Sequence, residues 1–89
     1  MDIGRVVCSL SGHDKGFYMV VVGKTAEGLL VCNGKQRRKE NPKLKNEKHL
    51  LVTEYVVAQE WLQTNKSIRR SLYDLLGKYK EEDICQKEI

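Results

Sequence analysis

Apolar residues in the first half of the chain come in short, β-branched runs separated by turn residues. "RVVCSL" (5–10) ends in "SGHDKG" (11–16), and "FYMVVVG" (17–23) ends in "KTAEG". "LLVC" (29–32) follows and runs into Asn33-Gly34. Such runs, bounded by Gly, Asn, Asp and Ser, predict strands. Asn-Gly tolerates positive φ at both positions, so it predicts a type I′ hairpin that makes "KQRRK" (35–39) the partner strand of "LLVC". Asn41-Pro42 breaks that strand, "KLKNEK" (43–48) is expected as a loop, and "HLLVT" (49–53) as a last strand. Five short strands with tight turns predict a small barrel or half-open sheet.

After Thr53 the period changes. "TEYVVAQEWLQTN" (53–65) fits a short helix with Val57 and Trp61 at i, i+4. "NKSIRRSLYDLLGKY" (65–79) is the stronger pattern, because Ile68, Leu72, Leu75, Leu76 and Tyr79 line one helical stripe. Asn65 or Ser67 is expected to cap its start, and Gly77 to weaken its end. The stripe must be covered, most simply by lying across the barrel, with Trp61, Tyr73 and Tyr79 packed in the helical layer. The final "EEDICQKEI" is expected to fray. The 89 residues therefore read as one structural unit, a barrel over 1–53 with a helical extension, 54–89, packed on it.

Charge changes this picture at one place. Residues 35–48 hold seven basic and two acidic side chains, net +5, although the whole chain is only +4. The excess is thus local, and a local basic cluster concentrates field and attracts polyanions. No signal peptide is visible in "MDIGRVV", and "YMVVV" is far too short to span a bilayer. Three cysteines without a CxxC pair, Cys8, Cys32 and Cys85, suggest reduced thiols in a cytoplasmic protein.

As an alternating strand, "KQRRK" would place Lys35, Arg37 and Lys39 on one side and Arg38 on the other. An Arg fork can clasp a phosphate bidentately, and Lys43, Lys45 and Lys48 on the following loop would track a backbone as point charges. The bland reading is a solvated, charged edge strand that blocks aggregation. In "SGHDKG", Gly12 and Gly16 would let the backbone approach a ligand, Lys15 adds charge and His13 can hydrogen-bond or stack; a plain Gly hairpin is the alternative. Phe17 and Tyr18 face opposite sides, one toward the core and one free to stack on a base. Cys8, Cys32, His13 and His49 lack the short ligand spacing of a zinc site, and no cofactor motif is present. There is no Ser-His-Asp context, P-loop or dinucleotide fingerprint, so no catalytic residue is assigned and an enzyme is not expected.

"RVVCSLSGHDKGFYMVVVG" resembles the KOW motif of RNA-binding and ribosomal proteins: a strand, a turn ending in Lys15-Gly16, and a Val-rich strand. "VCNGKQRRKENPKLKNEKHLLVT" resembles a narrower family, the small bacterial KOW-domain RNA-binding proteins related to KOW-type large-subunit ribosomal proteins of eukaryotes and archaea. The matching elements are Asn33-Gly34, Asn41-Pro42-Lys43, Lys45-Asn46 and Lys48-His49-Leu50, in order. The resemblance covers roughly residues 3 to 53, with a weaker echo in "TNKSIRRSL"; Met19 stands where many such motifs carry Gly. It implies a mainly β fold, a small SH3-like β-barrel of KOW type with a C-terminal α-helical extension. It also implies a cytoplasmic accessory protein whose partner is RNA, ribosomal RNA first, with ribosomal proteins as possible neighbours and neither membrane nor small-molecule substrate. The competing expectation is a protein-interaction module using the barrel and the C-terminal helix.

Overall fold

The computed structural model describes residues 2–75. Five strands, β1 (Arg5–Ser9), β2 (Tyr18–Lys24), β3 (Leu29–Cys32), β4 (Lys43–Lys45) and β5 (Leu50–Val56), form one antiparallel sheet in the order β4-β3-β2-β1-β5. One helix, α1 (Asn65–Leu75), follows. The fold is mainly β, as expected. The ladder is not closed, because β4 and β5 are its two edges.

The central strands are buried on both faces, which explains their runs of consecutive apolar residues. On one face Val6, Val20 and Cys32 meet Val57, Ile68 and Leu72. On the other, Val7, Met19, Val21, Leu29 and Val31 gather around Leu50, with Ile3 at the margin. Alternate side chains of β1 and β2 thus feed two separate clusters. α1 covers the first through Ile68 and Leu72, both almost fully buried. Two such side chains contribute at most about 3–6 kcal/mol to its docking. Leu75 lies at the edge, partly exposed, and Leu76, Gly77, Tyr79, Cys85 and the 81–89 segment lie outside the described residues.

The stretch 35–48 departs from expectation. "KQRRK" is not a strand, and the partner of β3 is β4, with Val31 opposite Lys43 and Leu29 opposite Lys45. The reason lies in Asn33. It does not adopt positive φ, so no type I′ turn forms; only Gly34 does, at φ 77°. The Asn33 side chain instead accepts hydrogen bonds from the backbone N–H of Lys35 (2.9 Å) and Arg37 (3.0 Å). The N–H groups of Asn33 and Gly34 both donate to the Arg37 carbonyl. An Asx-type closure of this kind competes with the ladder for the same donors, and it winds 33–37 into a compact loop.

The segment after Thr53 also differs. β5 continues through Val56, past the expected boundary at 53, and only a short 3-10 turn, Gln59–Leu62, replaces the expected helix. A register shift lets β5 bulge where Thr53 Oγ1 donates to the Val6 carbonyl (2.6 Å). Trp61 (47% exposed) and Tyr73 (51%) face outward instead of packing the helical layer. The helix cap is Thr64: its Oγ1 accepts from the Ser67 N–H (3.1 Å), and Ser67 Oγ accepts from the Thr64 N–H (3.3 Å). This reciprocal box leaves Asn65 free for another task.

Candidate nucleic-acid interface

Asn65 and Arg69 tie α1 to the basic loop. Asn65, buried, accepts from the Lys39 N–H (2.7 Å) and donates to Glu40 Oε1 (2.9 Å). The Arg69 guanidinium donates to the Gly34 carbonyl (2.8 Å). A side chain at Gly34 would collide with the Asn65 carbonyl, so a residue without Cβ is required for this approach as well as for the φ. The Asn65 amide, with the backbone and Arg38 adding to it, holds the Glu40 carboxyl below its usual range. Nothing local in the sequence signals this clasp, since its halves are far apart along the chain.

The same loop is brought against the 11–16 turn. His13, Asp14 and Phe17, from the turn and the residue before β2, and Gln36, Arg37 and Lys43, from the loop and β4, line an open cleft of about 250 Å3, with the buried Met19 also at its border. Arg37 is steadied by donating to the Asn41 carbonyl (3.2 Å). Gln36 is held through its oxygen, which accepts from Asn33 Nδ2 (2.7 Å). Two regions that the sequence could only treat separately therefore share one surface.

The candidate residues now divide. His13, Arg37 and Lys43 meet at the cleft. Lys15, Lys35 and Lys48 are exposed, and Lys39 is half-buried. Arg38 stands 3.7 Å from Glu40, an exposed pair that costs it little freedom. The alternation expected for Lys35, Arg37 and Lys39 on a strand does not apply to a loop. Phe17 reaches the cleft, whereas Tyr18 packs against the cluster under α1. Gly12 (φ 84°) and Gly16 (φ 90°) serve the turn's backbone.

Lys45 is withdrawn from the surface. It is 6% exposed, its ammonium lies 2.9 Å from Asp14 Oδ1, and it donates to the Ser11 carbonyl (2.6 Å). The Ser9 hydroxyl donates to the same Asp14 oxygen (2.8 Å). Lys45 is thus the strut between edge strand β4 and the 11–16 turn, not a free cation. Burial pushes the Asp14 carboxyl up, but the hydrogen bonds from Lys45 and Ser9 and the Lys45 charge outweigh it and hold the group below the usual aspartate range. A depressed carboxyl stabilises the fold above its unfolded-state pKa, and that contribution disappears as pH falls through the folded-state value. Stability should accordingly be undiminished by this group at neutral pH and begin to drop as pH falls into the ordinary aspartate range. Urea midpoints measured across acidic pH should show an acid limb that Asp14→Asn reduces; identical limbs in both proteins would refute the linkage.

Cys32 is a free, buried thiol pushed up to about 11, chiefly by burial, so it is protonated and unreactive at neutral pH. Cys8 is disulfide-bonded, so the expectation of reduced thiols holds for Cys32 alone among the described cysteines. No helix among the described residues is long and apolar enough to cross a membrane. Compared with known proteins, the chain matches no protein-family model and no curated protein.

Proposed function

We propose that this protein binds structured RNA, ribosomal RNA first, through the surface that joins the 11–16 turn to the 33–43 loop. The observation that carries this reading is the cleft, where His13, Arg37 and Lys43 converge from separate parts of the chain. Lys15, Lys35, Lys39 and Lys48 extend the positive potential around it, and a surplus of net +5 over 35–48 is the electrostatic footprint of a phosphate-binding surface. The five-stranded antiparallel sheet, with Asp14–Lys45 bridging the turn to the edge strand, supports the reading of an SH3-like fold of the KOW type. The protein acts in this reading as a cytoplasmic accessory factor of the ribosome that binds and does no chemistry.

Contact with about four to six phosphates makes log affinity fall against log salt with a slope near −3 to −5, at −0.7 to −0.9 per phosphate. Filter binding or fluorescence titration of ribosomal RNA fragments at several salt concentrations measures it. A flat dependence would overturn the proposal.

One observation favours a second reading, a protein-interaction module. Val52, Tyr55 and Val56 on edge strand β5, and Trp61 after it, are large apolar side chains left exposed. If that surface carries the function, ribosome association will survive charge reversal in the cleft.

A further inference from the structure

Resting on that reading, we propose that the cleft receives a single unstacked nucleobase. The RNA recognised then carries a bulge or an open loop at this point instead of an unbroken duplex. A surface that only followed a phosphate backbone would need charge and hydrogen-bond donors. This cleft has more. Phe17, half-buried, lines it, whereas the Met19 side chain that also borders it is fully buried and out of a ligand's reach. An aromatic ring is idle toward a phosphate but complements the flat face of a base.

The polar groups are placed for the rest of a nucleotide. The Gln36 oxygen is already occupied by Asn33, which fixes the amide. Its NH2 group makes no hydrogen bond among the described residues and is available to the acceptor edge of a base. Asp14 also lines the cleft, but its charge is neutralised by Lys45 at 2.9 Å. Arg37 and Lys43 therefore set the sign of the charge, and they suit the phosphates flanking an extruded nucleotide. Size agrees: about 250 Å3 lies just under the roughly 300–1,000 Å3 of clefts that take drug-sized ligands, which is room enough for one base.

The test uses two RNA hairpins with the same stem, one fully paired and one with a single bulged 2-aminopurine. The full-length protein should bind the bulged hairpin more tightly by roughly 5- to 150-fold, the range for stacking one base on an aromatic side chain. The 2-aminopurine fluorescence should change on binding. Phe17→Leu, which keeps an apolar side chain, should abolish the difference between the two hairpins. Should that variant fold poorly, Gln36→Ala, at an exposed loop position, should narrow the same difference. Equal affinity for both hairpins with unchanged fluorescence would overturn the base pocket and leave RNA binding standing. Binding to neither hairpin, nor to ribosomal RNA, would overturn both.

Discussion

Arg37→Glu combined with Lys43→Glu is expected to weaken RNA binding by about 2–6 kcal/mol, roughly 30- to 25,000-fold, given about 1–3 kcal/mol for each directly contacting basic residue. The salt slope should flatten by about 2, since each lost phosphate contact removes about one unit. The fold should tolerate the change. The Lys43 side chain makes no hydrogen bond or ion pair among the described residues, and Arg37 gives up one exposed bond to the Asn41 carbonyl. Surface changes of this kind usually stay within about 0.5 kcal/mol of the parent stability. Binding isotherms with a urea titration on the same sample separate lost contact from lost structure. Unchanged affinity in a folded double variant would move the function away from the cleft and toward the apolar β5 surface.

Asp14→Ala is expected to cost about 3–5 kcal/mol of stability, because it strands the buried Lys45 ammonium without its counter-charge. That is a large share of the roughly 5–15 kcal/mol that holds a typical domain together. Asp14 and Lys45 are both buried, and the Ser9 hydroxyl and Ser11 carbonyl complete their hydrogen bonds. The asymmetry is the informative part. Replacing the pair together, Asp14→Leu with Lys45→Met, should recover most of the loss, since apolar substitutes avoid the desolvation that the ions suffer. Chemical denaturation of the single and double variants closes the cycle. An Asp14→Ala protein as stable as its parent would mean that Lys45 swings out to water and is a surface residue after all.

The basic stretch keeps one property of its sequence and loses another. Its charge density is a property of composition and survives intact in the fold. Its division into strand and loop was reversed. "KQRRK" resembles a strand only if Asn33-Gly34 turns as a hairpin, and Asn33 has a second option, using its side-chain oxygen to gather the N–H groups of Lys35 and Arg37. "KLK" looks like loop because two of its three residues are lysines, yet it pairs with β3 across from Val31 and Leu29. Lysine alternation there is a strand signal, with Leu44 on the outward side. The aromatic residues show the same limit. Helical spacing placed Val57 and Trp61 on one face, but the backbone remains extended through Val56, so Val57 enters the core and Trp61 does not.

What the sequence determined by itself is whatever local spacing and side-chain type suffice to fix. The runs around Val6, Val20 and Val31 specify strands, the stripe with Ile68 and Leu72 specifies α1, and the lysines and arginines of 35–48 specify a strongly positive region. The tertiary structure alone decided which of those cations remain available. Lys43 and Lys45 are indistinguishable in type and two residues apart on the same face of β4; the 11–16 turn supplies a carboxylate to one and leaves the other at the open cleft. It also decided that His13 and Arg37 share a surface, and that Asn65 and Arg69 brace the loop carrying Arg37. Such pairings depend on long-range pairing of the strands and on the docking of α1, and neither leaves a period in the chain.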